Sequence, residues 1–243
     1  MVFIAPTIES VAPVNCELQL ESGRNIQYIA ARNANPRGHV GDQLPIIRKS
    51  SFHPIINDWE SVNTLCHAID NIVEIEMETD FFYNKSVLEI GFSTGLPSVY
   101  AFENGANEIA IYTNDNTNTE LYCKPTLRRN NIPNNKTKVS AGTIQDLRKF
   151  LGGKKFDVIL APDLLNRSQA EFDLVHDLIE EAMANDGICL LSSLTYYHHV
   201  DGSLDAFLDL VKRRRQFDAL EKWSSSKHDI IQQKVVQLTR SLF

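Results

Sequence analysis

The chain has 243 residues, and 31 acidic residues against 24 lysines and arginines leave it with a net charge of −7. This length fits one large domain, and a hydrophobic content of 43% supplies enough apolar material for a sizeable core. The acidic balance argues against a role that depends on bulk attraction to nucleic acid or to an anionic membrane.

The N-terminal part of the sequence has no clear periodicity. Residues 1–50 show neither the helical nor the strand repeat of apolar positions, so we predict an irregular N-terminal arm. Four prolines interrupt this arm: Pro6, Pro13, Pro36 and Pro45. The predicted domain, 51–243, opens with a helix over 58–77, where apolar residues are spaced by three or four positions.

Short apolar runs and helical patterns then alternate along the chain. Five strands are predicted, at 87–90, 109–112, 138–141, 157–160 and 188–191. Helices are predicted after them, at 97–102, at 117–130, at 144–151, from Phe172 and from Leu204. Two further strands, at 219–223 and 230–238, form a predicted antiparallel pair. This order predicts an α/β fold with a mostly parallel sheet, helices on both faces and a C-terminal antiparallel hairpin.

Local signals mark several helix ends. Ser168 and Glu171 form a capping box ahead of the fourth of these helices, and Ser203 caps the next one. Pro125 must start a new helical turn or kink the helix predicted over 117–130. The basic run 212–215 ends the last helix, where positive charge favours the helix dipole. Contact with RNA or with a ribosomal surface is the alternative for that run.

The loop after the first strand of the domain is the most informative about function, because ligands of an open α/β sheet bind beyond the carboxyl ends of its strands. Glu89 ends the strand, and Gly91 and Gly95 let the backbone come close to a ligand. A dinucleotide fingerprint would need a glycine where Ser93 stands, which argues against a nicotinamide enzyme. An ordinary strand-to-helix turn with glycines is the structural alternative.

Segment 88–95 resembles motif I of the seven-strand, S-adenosylmethionine-dependent methyltransferases. Three further segments resemble that family, in the same order along the chain. Asp58-Trp59-Glu60 is similar to its W-E cofactor motif, and Pro125 is similar to the proline after its second strand. Segment 156–160 is similar to its fourth strand, and Asp163 to the acid that follows that strand. The resemblance covers roughly 42–240 and narrows to the group that contains the protein-histidine methyltransferases of ribosomal proteins. It implies a Rossmann-like seven-stranded sheet and S-adenosyl-L-methionine as the cofactor.

The sequence departs from the family at expected cofactor contacts. The family's loop is G-x-G-x-G, whereas Phe92 and Ser93 stand between the two glycines here. Thr113 replaces the acid that grips the ribose hydroxyls, and Ile144 replaces a tryptophan after the third strand. Losing that carboxylate would weaken cofactor binding by about 1.5 to 3 kcal/mol. Asp115 is a candidate substitute through a shifted loop.

By this resemblance, residues from several separate segments hold the cofactor: Trp59, Glu60, Glu89, Gly91, Gly95, Thr113, Asn114, Asp115, Gly142 and Thr143. A core anchor at the start of a helix is the alternative for Trp59. Asp163 is the candidate catalytic residue, because a carboxylate bound to one ring nitrogen of an acceptor histidine leaves the other nitrogen as the nucleophile. A role in capping the loop before Ser168 is the alternative for Asp163.

The aromatic and histidine run 196–199 follows the fifth strand at the same edge of the sheet. Adjacent histidines suggest a metal, but neighbouring side chains on a strand point to opposite faces. We therefore predict no metal site and favour a substrate-facing lip.

The sequence thus predicts a protein methyltransferase, with a histidine of a ribosomal protein as the expected substrate. One alternative is a binding protein that keeps the fold without catalysis. The other is a related protein-lysine methyltransferase, although the aromatic residue that normally follows the acid in those enzymes is Asn166 here.

Composition also bears on location and partners. The chain has no apolar run long enough for a membrane span, and its first 15 residues contain no basic region followed by a long apolar stretch, so we expect a protein that is not secreted. Its four cysteines stand alone, which predicts neither disulfides nor a structural zinc site. We expect a monomer without direct nucleic-acid or membrane binding, in the cytoplasm and nucleus, with the nucleolus as a candidate location.

Overall fold

The structure is a computed structural model that describes residues 13–31, 58–229 and 231–241. A hairpin of β1 (Pro13–Gln19) and β2 (Asn25–Ala31) comes first. A larger sheet follows, built from β3 (Ser86–Gly91), β4 (Glu108–Thr113), β5 (Thr137–Ala141), β6 (Phe156–Pro162), β7 (Met183–Leu194), β8 (Phe217–Ser224) and β9 (Gln233–Arg240).

The seven strands of the larger sheet lie in the order β5-β4-β3-β6-β7-β9-β8. The first five of these are mutually parallel, and β9 runs antiparallel to both of its neighbours. The predicted Rossmann-like sheet with its C-terminal antiparallel hairpin is therefore confirmed. The strand order reverses between β3 and β6, and the carboxyl ends of these two strands are where such a sheet binds ligands.

Helices cover both faces of the sheet, as predicted. They are α1 (Asp58–Asp70), α2 (Leu96–Glu103), α3 (Asn116–Asn118), α4 (Lys124–Arg129), α5 (Leu147–Leu151), α6 (Phe172–Ala182) and α7 (Leu204–Arg214). One core cluster joins the sheet to α1, α2 and α4, and the other joins it to α5, α6 and α7. Adjacent strand residues such as Val87 and Leu88 belong to opposite clusters because side chains alternate across a strand. None of the helices in the described ranges is long and apolar enough to cross a membrane.

Pro125 shapes the helix predicted over 117–130. A π-helical segment, Thr119–Cys123, separates α3 from α4, and Pro125 lies in the first turn of α4. A proline has no N–H to donate within a helix, so the regular ladder stops and restarts there. A second π-helical segment, Asn71–Ile75, continues α1.

The expectation of an irregular arm is wrong for residues 13–31. Ile26, Tyr28 and Ala30 are buried in alternation along β2, which is the pattern of a strand with one face on the core. Ile29 lies between Tyr28 and Ala30, and Ala31 follows Ala30, so apolar residues also occupy the alternate positions. The sequence therefore shows no clear alternation of apolar and polar residues, and the strand could not be recognised from it. The predicted boundary at residue 50 lies outside the described residues.

Polar contacts hold this hairpin on the domain. Ser22 donates from its backbone N and its Oγ to the two carboxylate oxygens of Asp70, at 3.0 and 2.8 Å. The backbone N of Ile29 donates to Thr126 Oγ1 at 3.0 Å. These bonds connect the hairpin to α1 and α4, so residues 13–31 belong to the folded domain.

The helix caps are close to their predicted places. Ser203 Oγ accepts a hydrogen bond from the backbone N of Ala206 at 3.2 Å. Ser168 Oγ accepts from the backbone N of Ala170 at 3.4 Å, and a 3₁₀ turn, Gln169–Glu171, precedes α6. Ser168 therefore caps the start of the turn, the Glu171 side chain pairs with Arg167, and the α-helix begins at Phe172.

Arg214, in the basic run at the end of α7, binds acidic residues of α6. Its guanidinium donates to Asp173 Oδ1 at 2.7 Å and also to Asp177. Nη1 lies 3.1 Å from His176 Nδ1. His176, Asp177 and Glu180 are close enough together to hold a metal ion. The guanidinium of Arg214, however, already contacts both His176 and Asp177. This contact supports the structural interpretation of the basic run.

His176 predicts a pH dependence of stability. Burial, followed by the charge of Arg214, lowers the pKa of this imidazole below its ordinary value. The unfolded chain therefore takes up a proton that the folded protein does not, and the free energy of unfolding falls as the pH drops below about 6.5. In thermal melts, His176→Gln should lose less stability on acidification than the parent protein. His228→Gln, at an exposed position, is the control and should keep the parent slope.

Candidate active site

Glu89 organises the loop at the carboxyl end of β3. Its side chain is fully buried, and burial raises the pKa of the carboxyl while hydrogen bonds from Ser98 and Gly95 oppose that rise. The backbone N atoms of Gly95 and Ser98 donate to it at 2.9 and 3.1 Å, and Ser98 Oγ donates at 2.5 Å. The carboxylate thus holds the loop and the first turn of α2 in place by bonds within the chain.

Gly91 lets this loop lie directly against the end of β6. It has a φ of 103°, and a Cβ atom built on it would lie 2.3 Å from the carbonyl oxygen of Pro162. The backbone N of Phe92 donates to the same oxygen at 2.8 Å. Any side chain at position 91 would therefore collide with backbone. Gly95 also has a left-handed φ, of 79°, so the two glycines predicted from the sequence are both needed by the loop conformation.

Trp59 lies in a cluster of aromatic rings above the loop. Its ring centroid is 5.4 Å from that of Tyr28, 5.7 Å from Phe92 and 5.6 Å from Tyr122. The side chain is 4% exposed. Trp59 therefore packs as a core residue and also contacts a side chain of motif I, so both interpretations of this residue have a structural basis. Glu60, its neighbour on α1, is exposed.

Unsatisfied polar atoms lie beside this aromatic cluster. Asn63 follows Trp59 by one helical turn, and both its amide nitrogen and its amide oxygen are buried without a hydrogen-bond partner. The hydroxyl of Tyr28 also lacks a bond of ordinary geometry, although it lies close enough to the Asn63 side chain to interact with it. Buried polar groups are nearly always bonded, and Asn63 has both a donor and an acceptor, so at least one of its polar atoms favours a ligand. The amino and carboxylate groups of S-adenosylmethionine have that chemistry, and the residues fit this end of the cofactor.

The ends of β4 and β5 form the second part of the predicted cofactor site. The backbone N of Gly142 donates to the carbonyl oxygen of Thr113 at 3.0 Å, which brings the two strand ends together. Thr113 is buried, whereas Asn114, Asp115 and Thr143 are exposed. The loop residue Ser93 donates to the carbonyl oxygen of Tyr112 at 3.0 Å and so connects this part to motif I.

Asp115 already has a local role. Its Oδ1 accepts a hydrogen bond from the backbone N of Thr117 at 2.7 Å and so caps α3. A carboxylate engaged at the start of a helix is less free to bind ribose hydroxyls. Thr113, which stands at the position expected for the family's ribose-binding acid, is buried.

Asp163 lies just past β6 in a network of buried polar groups. Its Oδ1 accepts from the Tyr197 hydroxyl at 2.5 Å and from Ser61 Oγ at 3.3 Å, and its Oδ2 accepts from Asn166 Nδ2 at 3.0 Å. The residue has a φ of 52°, a conformation that aspartate tolerates better than most side chains. Burial, and after it the charge of Asp163, raises the pKa of Tyr197, so this phenol remains a donor.

The network reaches two strands that the sequence did not connect to the site. Gln233, the first residue of β9, donates from Nε2 to Ser61 Oγ at 2.8 Å. Ser192 of β7 donates from Oγ to the carbonyl oxygen of Ser61 at 2.8 Å. Sequence reasoning missed these three residues. Only Ser192 carried a signal, as a polar residue at the end of an apolar run in β7; Ser61 lies on α1, and β9 is rich in polar residues.

The run 196–199 divides between the core and the surface. Tyr197 is fully buried and binds Asp163, whereas Tyr196 is 52% exposed. His198 and His199 are exposed. Three of the four residues are therefore exposed, as the predicted lip requires, whereas Tyr197 is hydrogen-bonded to the candidate catalytic carboxylate.

Comparison with known proteins places this arrangement in a family. Residues 54–214 match the model of the family described as "Lysine methyltransferase". The chain is 69% identical over 243 residues to the uncharacterized protein F22B7.9 of Caenorhabditis elegans, with 100% of both chains covered. It is 34% identical over 158 residues to the Histidine protein methyltransferase 1 homolog of Dictyostelium discoideum. That alignment covers 63% of this chain and 47% of the Dictyostelium protein.

Solved structures share the fold at low sequence identity. The magnesium protoporphyrin IX methyltransferase (ChlM) from Synechocystis PCC 6803, with bound SAM, has a TM-score of 0.56 at 14% identity and covers 79% of this chain and 87% of its own. The O-methyltransferase from Bacillus cereus in complex with SAH has a TM-score of 0.53 at 10% identity, with 75% and 90% covered. These structures show the fold alone, whereas the match to the family model over 54–214 identifies the family. The chain belongs to the lysine methyltransferase family and is an S-adenosylmethionine-dependent methyltransferase.

Proposed function

We propose that the protein is a protein-histidine N-methyltransferase that acts on a ribosomal protein in the cytoplasm and nucleus. The observation that carries the proposal is the buried carboxylate of Asp163, held by Tyr197, Ser61 and Asn166 at the carboxyl end of β6. The similarity to the Dictyostelium histidine protein methyltransferase homolog supports a histidine acceptor.

Methyl transfer from this cofactor depends on the placement of the acceptor atom more than on proton transfer. S-adenosylmethionine, when bound, supplies a methyl group that its sulfonium makes electrophilic. Asp163 would accept a hydrogen bond from one ring nitrogen of the acceptor histidine, which leaves the other nitrogen with a free lone pair. Tyr197 and Ser61 hold the carboxylate in one orientation, and such positioning is the main contribution that the protein makes to a displacement of this kind.

The residues that would hold the cofactor fall into two groups. The loop ordered by Glu89, together with Trp59 and Asn63, would hold its amino-acid end. The ends of β4 and β5, with Thr113, would lie beside its ribose and adenine. The second group lacks the family's carboxylate, so binding weaker than in its relatives is expected.

A protein-lysine methyltransferase is the second candidate function, and the description of the matching family favours it. Asn166 weighs against it, because it stands where an aromatic residue normally follows the acid in those enzymes. Isotopically labelled methyl transfer to a cell lysate, followed by mass spectrometry of the modified residue, separates the two. If the label is found on lysine, the proposal of a histidine acceptor is wrong and the protein is a lysine methyltransferase.

Catalytic loss is the remaining alternative, in which the fold serves as a binding protein. Calorimetry with S-adenosylmethionine or its demethylated product addresses it directly, since the proposal expects binding by the parent protein. Absence of binding at millimolar cofactor, together with absence of label transfer, would support the binding protein.

Thr113 offers a test by gain of affinity. Thr113→Asp restores the carboxylate that accepts from two ribose hydroxyls and should tighten cofactor binding by about 10- to 150-fold in calorimetry. Thr117→Asp adds the same charge at an exposed position of α3 and should leave the affinity unchanged. If Asp115 already binds the ribose, Thr113→Asp would bring no gain and Asp115→Asn would weaken binding instead.

A further inference from the structure

The outer edge of β8 is an unusual end to the sheet. β8 is the last strand in the order, and no other strand of the described residues pairs with its outer side. Natural edge strands are normally protected by lysine, proline or short length, since their free N–H and C=O groups can pair with another chain. β8 has eight residues, and its lysine, Lys222, is engaged in an ion pair with Glu76, while Leu220 and Trp223 are 59% and 38% exposed.

These two side chains point to the face of the sheet that carries α1. Leu220 is opposite Gln237 and Trp223 is opposite Val235 in the register with β9. Directly opposite residues of antiparallel strands share a face, and Val235 packs in the core cluster that contains α1. Leu220 and Trp223 therefore lie on one side of β8, close to the segment that follows α1.

An ion pair connects β8 to that segment. Lys222 Nζ lies 2.7 Å from Glu76 Oε2. On either side of Glu76, Ile75 is 58% exposed and Met77 is 72% exposed. We call the four exposed apolar side chains around this ion pair, those of Ile75, Met77, Leu220 and Trp223, the β8 patch.

Met77 adds an observation of backbone strain. It has a φ of 64°, which is uncommon for a residue other than glycine, asparagine or aspartate. The backbone N of Glu78 donates to the carbonyl oxygen of Ile72 at 3.2 Å, so the turn around Met77 is closed by a hydrogen bond. The left-handed residue ends the helical segment that continues α1, and it leaves the large apolar side chain of Met77 in solvent.

The charges around the patch indicate the chemistry of its partner. Carboxylates recur along the neighbouring segment and on the same face of β8, at Glu74, Glu76, Glu78, Asp80 and Asp218. The cations paired with two of them are Arg24 and Lys222. Acids thus outnumber bases around the apolar side chains. A second copy of this chain would bring the same acidic surface and a net charge of −7, so electrostatics favour a basic partner over self-association.

We propose that the β8 patch binds a basic segment of another protein, which adds to the sheet as an extra strand beside β8. Main-chain hydrogen bonds to the outer edge of β8 would supply affinity, and alternate apolar side chains of the partner would contact Leu220 and Trp223. Its lysines or arginines would face the carboxylates of segment 74–80. β8 runs parallel to β7, so its carboxyl end lies at the same edge of the sheet as Asp163.

The probe for this proposal is a synthetic peptide with alternating lysine and valine and with blocked ends. Hydrogen exchange of the β8 amides and the fluorescence of Trp223 report on its binding; Trp59, the other tryptophan, is buried at 4% exposure. We expect the peptide to protect amides of β8 and to bind less tightly as salt is added. The same peptide with glutamate in place of lysine should not bind.

Variants locate the binding on the patch. Leu220→Ser should weaken binding of the basic peptide by about tenfold or more, because it removes apolar contact that the complex would bury and leaves the charge of the patch unchanged. Leu121→Ser, at a leucine of 39% exposure in the segment between α3 and α4, is the matched control and should bind as the parent does. Urea unfolding of both variants checks that the fold is intact.

Several results would overturn the proposal. They are equal binding of the basic and acidic peptides, unchanged binding by Leu220→Ser, and unprotected β8 amides at saturating basic peptide. Self-association of the parent chain that Leu220→Ser abolishes would assign the surface to a second copy instead. No cofactor is present in these measurements, so their outcome is independent of methyl transfer.

Discussion

Asp163→Asn is expected to lower the single-turnover rate of methyl transfer by about 10²-fold while the fold and the cofactor affinity are retained. This fall corresponds to about 2.7 kcal/mol of lost transition-state stabilisation. The reason is that an amide can still hydrogen-bond to the acceptor imidazole but stabilises the positive charge developing on that ring less well than a carboxylate does.

The surroundings of Asp163 make asparagine a mild substitution for the fold. The new amide oxygen can accept from Tyr197 and Ser61 as the carboxylate does. Its NH₂ group would face Asn166, whose Oδ1 is buried without a partner and can accept that bond after the Asn166 amide turns over. Asparagine also tolerates the left-handed backbone at this position.

The alternative role of Asp163 predicts a different result. The residue also shapes its own loop, because the backbone N of Asn166 donates to the carbonyl oxygen of Asp163 at 3.2 Å. If it only caps this loop, its replacement should reduce stability by about 1 kcal/mol with little change in rate per folded molecule. Asp157→Asn, which alters a half-buried carboxylate bonded to Ser86 at the other end of β6, is the control for stability alone. An unchanged rate in Asp163→Asn would remove Asp163 from the mechanism.

Trp59→Ala is expected to lower the free energy of unfolding by about 3 to 5 kcal/mol, the usual range for truncation of a buried tryptophan. The residue packs against Tyr28, Phe92 and Tyr122, so its removal leaves a cavity between the hairpin, α1 and the motif I loop. Because Phe92 belongs to that loop, cofactor affinity per folded molecule should fall as well. Urea unfolding and calorimetry measure the two effects separately.

Phe207→Ala is the matched control for Trp59→Ala. Phe207 is 1% exposed, and its ring centroid lies 5.5 Å from that of Phe172. Both rings lie on the face of the sheet opposite to Trp59. Its truncation should reduce stability without altering cofactor affinity per folded molecule. If Trp59→Ala gives the same pattern as this control, Trp59 is a structural residue only.

The sequence by itself determined most of the sheet and the loop at its centre. Strands such as β3 and β6 are continuous apolar runs because both faces of a parallel sheet are buried, and such runs can be recognised without any tertiary information. The positions of Gly91 and Gly95 were equally readable, since a loop that turns from a strand into a helix needs residues that adopt positive φ. The departure at Thr113 was likewise visible from the motif alone.

Only the tertiary structure decided which polar groups meet at the candidate catalytic carboxylate. Ser61 lies 102 residues before Asp163 and 172 before Gln233 in the chain, and no local pattern indicates that they share hydrogen bonds. The hairpin of residues 13–31 and the exposed edge of β8 could not be predicted from the sequence either, for the same reason. Burial and strand pairing depend on which distant segments cover a strand, whereas periodicity records only the residues next to one another along the chain.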